Sequence, residues 1–339
     1  MKKLEKKKEH PKEKTVLHPR NKHRERYNFK ELVASCPELA PYVIINDYDD
    51  ESIDFFNPDA VMMLNKALLK HFYKIDKWIM PEGYLCPPIP SRADYIHYMA
   101  DLLAERNNGN VPTGSSIKVF DVGVGANCIY PLIGNREYGW SFVGSDNKPE
   151  ALISAKDILE NNGEIKENVE LRLQPNSSNI FKGIVKENEQ FDFTICNPPF
   201  YSSYEESRSG NIRKLSNLHG KPIKEIARNF GGNNMELWCD GGEEKFAKRI
   251  IEQSKLIAHS CFWFSTLISK QAHLESIYKA LYNAQAVEVK TIAMTQGNKS
   301  SRIVAWTFLT PVEQTKWAIT RWNPKVASRT TVNPEGTRQ

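Results

Sequence analysis

Short apolar runs separated by longer mixed stretches recur along most of this sequence. Seven runs have the length and the β-branched or aromatic content of strands, at 117–120, 141–144, 169–173, 191–196, 262–267, 287–294 and 302–309. The last two runs alternate between apolar and polar residues and are joined by a turn at 297–300, which predicts an antiparallel hairpin. The whole pattern predicts an α/β fold with a seven-stranded sheet.

Helical stretches fill the intervals between these runs. Apolar spacing and capping residues predict helices at 58–73, 92–106, 126–132, 149–161, 180–186, 241–257 and 272–282. Asn57 and Pro58 suit the N-cap and the first position of the first of these helices. The proline-rich sequence at 86–90 predicts a rigid extended connection, and Ser91 with Asp94 fits a capping arrangement for the helix that follows it.

A glycine turn follows the first strand of the sheet. The run 117–120 leads to Gly123 and Gly125, after which the chain can enter a helix, so this unit is a strand, a turn and a helix. Glycines let the backbone approach a ligand closely, and the helix start offers free N–H groups to it. A dinucleotide site needs a third glycine where this sequence has Cys128, so a pyrophosphate-binding site is disfavoured.

Polar side chains follow the next two strands. Asp146 lies at the end of the second strand, about 20 residues beyond the glycine turn, where doubly wound folds place a carboxylate that accepts from both ribose hydroxyls. Gln174 and Asn176 follow the third strand, at the carboxyl edge where an adenine would lie. These positions predict an adenosine-containing cofactor.

The strand at 191–196 runs directly into Asn197, Pro198, Pro199 and Phe200. An exocyclic aromatic amine is a poor nucleophile, and an enzyme that methylates it must hold the N–H groups with two acceptors. The Asn197 side chain and the Pro198 carbonyl can supply them, the prolines add no competing N–H donors, and Phe200 offers a face for an extruded base. No general base is needed, since a methylated amine loses its proton readily to water. The alternative is that this sequence is only a rigid turn.

Charge is distributed unevenly along the chain. Residues 1–26 hold eleven Lys or Arg and four Asp or Glu, whereas the whole chain has a net charge of only +5. We expect a disordered basic arm that binds RNA through counterion release, the alternative being a solubilising arm. The polar stretch 201–235 is either a lid over RNA or a plain insertion. The expected segments are this arm at 1–26, a mostly helical region at 27–90, a Rossmann-like domain at 91–312 and a polar tail at 313–339.

Several classes of protein are disfavoured by composition. No run of 18 apolar residues exists, and the charged N-terminus lacks the apolar core of a secretory signal, so we expect a cytoplasmic protein without a membrane span. The six cysteines are scattered, without a CxxC pair or a Cys/His cluster, which argues against a zinc site and a disulfide framework. We expect no metal, and a monomer.

Taken in order, the blocks DVGVGAN, GSD and CNPPF resemble those of class I S-adenosylmethionine-dependent methyltransferases that act on amino groups. A closer resemblance, to the bacterial 23S ribosomal RNA adenine-N6 methyltransferases of the RlmF type, extends over residues 17 to 310. The further blocks that carry it are LHPRNKHRERYNF (17–29), SIDFFNPDAVMMLNKALL (52–69), YLCPPIPSRADYIHYMADLL (84–103), VGVGANCIYPLIG (122–134), NFGGNNMELWCDGGE (229–243) and GNKSSRIVAWTF (297–308).

The resemblance implies N6-methylation of one adenine in 23S ribosomal RNA, or in a precursor of the large subunit, with S-adenosyl-L-methionine as cofactor. In that family the arginine that matches Arg92 contacts the cofactor's carboxylate. The catalytic residues implied are Asn197, Pro198, Pro199 and Phe200. The cofactor-binding residues implied are Arg92, Asp121, Gly123, Gly125, Asn127, Asp146, Gln174 and Asn197.

Other classes share parts of this pattern. DNA adenine methyltransferases need a target-recognition domain, for which the chain has little room, and glutamine-N5 methyltransferases do not obviously need a basic arm. A carbon-5 pyrimidine methyltransferase requires a cysteine nucleophile, but Cys196 occupies the last position of its strand and Asn197 takes the turn. A non-enzymatic RNA-binding protein is a further alternative, which cofactor binding in solution would separate from an enzyme.

Overall fold

The computed structural model describes residues 14–81, 84, 86–203, 205–206, 238–296 and 299–323. The N-terminal region contains helix α1 (Phe29–Ser35), a 3-10 helix (Pro37–Tyr42), strands β1 (Val43–Ile45) and β2 (Glu51–Ile53) and helix α2 (Pro58–Tyr73). The antiparallel pair β1 and β2 was not predicted, because a three-residue strand is too short for periodicity to reveal. The predicted cap of α2 is confirmed, since Asn57 accepts from the N–H groups of Asp59 and Ala60.

The second part of the chain forms the large sheet and its helices. Its elements are α3 (Ile89–Glu105), β3 (Lys118–Val122), α4 (Ile129–Tyr138), β4 (Ser141–Asp146), α5 (Pro149–Glu160), α6 (Gly163–Lys166), β5 (Val169–Leu173), β6 (Phe191–Cys196), α7 (Gly242–Ser254), β7 (Cys261–Ile268), α8 (Leu274–Asn283), β8 (Glu288–Gln296), β9 (Lys299–Thr307) and α9 (Pro311–Trp317). All seven predicted strands of the sheet are confirmed. The predicted helix at 180–186 is wrong, because this stretch forms turns whose residues Ile180, Phe181 and Ile184 pack into the core.

The described strands of the large sheet are ordered β5-β4-β3-β6-β7-β9-β8. The first five of these strands pair in parallel, and β9 pairs antiparallel with both β7 and β8, which confirms the predicted hairpin. Strands β4 and β5 lie to one side of β3 within the sheet, and the chain then returns to form β6 on the other side of β3. In sheets of this kind, ligands bind at the carboxyl ends of the strands where the direction of winding changes.

Helices cover both faces of the sheet. Successive residues of a strand face opposite sides, so Val119 packs into one apolar layer and Phe120 into the other. The first layer is continuous with the N-terminal helices and includes Trp140, whose indole N–H donates to the carbonyl of Pro112 at 2.9 Å. The small N-terminal elements therefore share a core with the sheet, and this rigid core holds the strand ends in place.

Residues 14–26 differ from the predicted disordered arm, because they pack against α3. The backbone N–H of His18 and the side-chain amide of Asn21 both donate to the carboxylate of Asp94, at 3.0 and 2.5 Å. Asp94 therefore holds this segment, and the predicted capping role is wrong, since no side chain caps the start of α3. The remainder of the predicted arm, residues 1–13, lies outside the described residues.

The predicted boundary of the α/β domain at residue 312 also differs from the structure. Residues 311–317 form α9, and a short π-helical turn (Ala318–Trp322) follows and packs on the core. Thr310 caps α9 in a capping box with Glu313. The rest of the predicted tail lies outside the described residues, and so does most of the stretch 201–235. Within the described part of the chain, no helix has the length and apolarity to cross a membrane, and no group of metal-binding side chains occurs.

Candidate active site

The glycine turn after β3 is bound to the end of β4. Gly123 and Gly125 have φ angles of +78° and +65°, which residues with a side chain rarely adopt. The N–H of Gly123 donates to the carbonyl of Ser145 at 2.9 Å, and the N–H of Gly125 donates to Asp146 Oδ2 at 3.0 Å. A Cβ atom added at Gly123 would meet nothing within 4 Å, so open space adjoins the turn. The backbone is therefore placed for close contact with a ligand.

The carboxylate of Asp146 accepts backbone hydrogen bonds from Gly125 and, at 2.9 Å, from Lys148, and the backbone N–H of Asn147 also interacts with it. Burial raises the pKa of Asp146, and the backbone N–H groups act in the opposite direction. Each carboxylate oxygen has a further lone pair, so the group can also accept from a ligand's hydroxyls. The neighbouring Gln174 donates from its side chain to the carbonyl of Lys182 at 3.0 Å and thereby holds the loop after β5.

Asn127 joins the glycine turn to the start of α4. Its side-chain oxygen accepts from the N–H of Ile129 at 3.1 Å, and its carbonyl accepts from the indole of Trp78 at 3.0 Å. Cys128, at the position of the missing third glycine, is buried and has a φ of 51°. The turn is thus fixed by side chains of the N-terminal region as well as by the sheet.

Arg92 lies in the first turns of α3 and is only 8% exposed. Its Nη1 donates to the hydroxyl of Tyr130 and to Oδ1 of Asn197, each at 3.3 Å. An arginine side chain carries only donors, so the atom of Asn197 that faces it is the amide oxygen. Arg92 therefore contacts the predicted catalytic asparagine directly, a contact that connects residues 105 positions apart.

The turn of Asn197, Pro198, Pro199 and Phe200 directly follows β6, beside β3 at the centre of the sheet. Pro198 is buried and the other three residues are partly exposed. A cavity of about 610 Å³ joins this turn to the glycine turn. The predicted residues that line this cavity are Arg92, Gly123, Gly125, Asn127, Asp146, Gln174, Asn197, Pro198, Pro199 and Phe200.

Asp121 is the predicted site residue that the structure places behind this cavity. It lies within β3, paired with Gly144 and Ile195, and its side chain is fully buried. Among the described residues, its carboxylate oxygens have no hydrogen-bond partner. Burial, followed by the negative charge of Asp146, raises the pKa of Asp121 well above its usual range, while Arg92 lowers it. The neutral form is therefore favoured.

Sequence reasoning missed other residues of the cavity wall, and these include Tyr130, Lys148, Trp238, Cys239, Phe246 and Arg249. Tyr130 was hidden because an aromatic residue near a helix start is most simply explained as core. Trp238 reaches the cavity because its backbone pairs with Tyr201, the residue that follows Phe200. The sequence blocks that contain these two residues were the available signal, but a block match does not show where a side chain lies.

The Rossmann-like sheet, its glycine turn and the acidic strand end define a class I S-adenosylmethionine-dependent methyltransferase. The sequence model of a family described as "RNA methyltransferase" matches residues 11–310, and the chain belongs to this family. The chain is 57% identical over 316 residues to the "Ribosomal RNA large subunit methyltransferase F" of Cytophaga hutchinsonii, and the aligned residues cover 93% of this chain and 98% of that protein. It is 54% identical over 324 residues to the protein of the same name from Yersinia enterocolitica, with coverages of 94% and 96%.

Solved structures agree with this assignment. The human METTL16 catalytic domain in complex with the MAT2A 3′UTR hairpin 1 superimposes with a TM-score of 0.73 at 27% identity, covering 87% of this chain and 96% of that one. The N-terminal domain of human METTL16 in complex with SAH gives a TM-score of 0.68 at 26% identity, with coverages of 87% and 99%. The predicted family, fold class and use of S-adenosylmethionine are therefore confirmed.

Proposed function

We propose that this protein methylates N6 of one specific adenine in 23S ribosomal RNA, or in a precursor of the large subunit, in the cytoplasm. The observation that carries this proposal is that the Asn-Pro-Pro-Phe turn and the glycine turn line one cavity. The names of the bacterial relatives support ribosomal RNA as the substrate. The chemistry of the turn supports an exocyclic amine as the acceptor.

The cofactor side of the cavity comprises Arg92, the glycine turn, Asn127, Asp146 and Gln174. When bound, S-adenosylmethionine supplies an electrophilic methyl group on its sulfonium. The lone pairs of Asp146 suit the two ribose hydroxyls, and the open space at Gly123 lets the backbone approach the ligand. The guanidinium of Arg92 suits the ligand's carboxylate, as the resemblance implies.

The substrate side of the cavity comprises Asn197, Pro198 and Phe200. The amide oxygen of Asn197 has two lone pairs, so one can accept from Arg92 while the other accepts from the adenine amine. The carbonyl of Pro198 is the second acceptor, and the ring of Phe200 stacks against the extruded base. Arg92 thereby orients the asparagine oxygen toward the amine and connects the cofactor side with the substrate side.

Replacing Asp146 by alanine should weaken S-adenosylmethionine binding by about 1–3 kcal/mol, the usual cost of losing hydrogen bonds to a charged group. Calorimetry measures this change. Glu150→Ala is a suitable control, because it removes an exposed carboxylate from the first turn of α5, the helix that follows Asp146. Equal cofactor affinity in Asp146→Ala and the unmodified protein would remove Asp146 from the site.

Deleting residues 1–13 should lower RNA affinity and flatten its salt dependence while leaving cofactor affinity unchanged. This segment holds six lysines and three glutamates. Each phosphate that a lysine neutralises contributes about −0.7 to −0.9 to the slope of log K against log salt. The packed residues from Lys14 onward are kept, so that the deletion does not disturb α3. An identical slope before and after the deletion would leave the segment as a solubilising arm.

The proposed substrate is tested by mass spectrometry of ribosomal RNA from cells that lack the protein. We expect one N6-methyladenosine of 23S ribosomal RNA to disappear and to return when the gene is restored. Restoration with Asn197→Ala should fail at comparable protein levels. If every N6-methyladenosine persists in the deletion strain, the substrate is wrong, and incubation of release factors with the protein and labelled S-adenosylmethionine would test the glutamine-N5 alternative.

A further inference from the structure

Just beyond the proposed catalytic turn, a glutamate side chain accepts hydrogen bonds from several donors that lie close together. Glu206 Oε2 accepts from the backbone N–H of Ser202 at 2.8 Å and from the Ser202 hydroxyl at 2.5 Å. Its other oxygen lies 3.6 Å from the ammonium of Lys270. The Ser202 hydrogen bonds are the main cause that lowers the pKa of Glu206, so the carboxylate is held in its charged form. These donors together hold one anion.

The donors come from two loops, and both loops are fixed by the start of α7. Gly242 lies so close to Ser202 that an added Cβ would be 3.1 Å from the Ser202 nitrogen. The next residue, Glu243, has a fully buried side chain that accepts from the N–H of Ser269 at 2.6 Å and of Lys270 at 3.3 Å. Adjacent residues of one helix thus set the distance between Ser202 and Lys270, independently of Glu206.

A second feature of Glu206 concerns its own backbone. The Glu206 N–H donates to the Ser203 hydroxyl at 3.1 Å, as in the first turn of a capped helix. Capping accounts for that contact, but it does not account for Lys270, which is 64 positions away in sequence. A capping role is also served by glutamine, whereas attraction to Lys270 requires the negative charge. The two roles can therefore be separated by a single substitution.

We infer that Ser202 and Lys270 form a binding site for an RNA backbone phosphate, and that Glu206 occupies this site until RNA displaces it. A phosphodiester accepts from a serine N–H, a serine hydroxyl and a lysine ammonium in the same way as a carboxylate does. Ser202 is two residues beyond Phe200, so the phosphate belongs to a nucleotide next to the extruded adenine. The side chains of Lys270 and Glu206 are 51% and 41% exposed, so an RNA strand can reach them. This inference rests on the proposed function.

The test compares Glu206→Gln with Glu205→Gln. Each variant removes one negative charge from neighbouring positions, but Glu205 is exposed and only Glu206 occupies the donors. Binding to unmodified 23S ribosomal RNA transcript, and the KM for that transcript, are measured for both. We expect Glu206→Gln to bind about three- to fivefold more tightly than Glu205→Gln, the amount expected from a charge interaction in a partly exposed site. Equal or weaker binding by Glu206→Gln would overturn the inference.

Lys270→Ala provides the opposite change. Its RNA affinity should fall, and the salt slope should decrease in magnitude by about 0.7–0.9, the contribution of one phosphate contact. Lys279→Ala, which removes a lysine from the exposed side of α8, is the control, and its slope should stay closer to that of the unmodified protein. An unchanged slope in Lys270→Ala would also overturn the inference. Methylation of the transcript and of large-subunit precursor particles from cells that lack the protein is measured in parallel with the unmodified protein, and its absence from both substrates would instead refute the proposed function.

Discussion

Asn197→Ala is expected to lower the single-turnover rate of methylation roughly 100- to 1,000-fold, which corresponds to a rise of about 2.7–4 kcal/mol in the activation free energy. The side-chain oxygen is proposed to accept from the adenine amine and to align its lone pair with the methyl group. This contact is held in advance by Arg92, so its loss affects the transition state more than the binding of either ligand. Saturating RNA and cofactor should not restore the rate.

Phe200→Ala should behave differently at the same turn. The expected loss is about 1–3 kcal/mol of RNA binding free energy, the contribution of one base stacked on an aromatic ring. The variant should therefore hold the extruded adenine in the site less tightly. A higher RNA concentration should therefore restore part of the rate.

Asn161→Ala, which replaces an exposed asparagine at the end of α5, is the control for removal of an amide from Asn197. If Asn197→Ala is as fast as this control under saturating conditions, Asn197 is only a turn residue.

The large sheet could be predicted because its signals are local. Most of its strands are short runs of apolar, β-branched or aromatic residues, and β5, with the sequence VELRL, alternates with period two. The packing of residues 14–26 could not be predicted, since their basic composition is that of a free arm and their partner on α3, Asp94, lies 76 positions from His18 and 73 positions from Asn21. The composition of a segment does not show whether its charged and polar groups have partners elsewhere in the chain.

The candidate site divides in the same way. Gly123, Asp146 and Asn197 could be located because the carboxyl ends of neighbouring parallel strands meet at one edge of a sheet. The contact between Arg92 and Asn197 could not, because it depends on how α3 crosses that edge. Asp121 was predicted to bind the cofactor from its position in the motif, but the strand directs its side chain into the protein interior. Strand order thus locates a site, while tertiary packing decides which side chains reach it.

The C-terminal segment shows how a polar sequence can belong to the core. Asp192, fully buried at the start of β6, accepts from the indole N–H groups of Trp317 and Trp322 at 2.8 and 2.7 Å. It also accepts from the guanidinium of Arg321, at 3.0 and 3.1 Å, and from the backbone N–H of Lys118 at 2.7 Å. One carboxylate therefore fastens the last described elements to the central strands.

Asp192→Ala should lower the free energy of unfolding by about 3–5 kcal/mol, because it leaves the largely buried guanidinium of Arg321, the buried indole N–H of Trp317 and the partly buried indole N–H of Trp322 without this acceptor. Urea titration measures this change, with Glu187→Ala as a control that removes an exposed carboxylate from the loop before β6. Asp192 lies at the opposite end of β6 from Asn197, so the folded fraction of the variant should bind S-adenosylmethionine with unchanged affinity. A loss of stability no larger than that of Glu187→Ala would show that the C-terminal segment does not depend on this carboxylate.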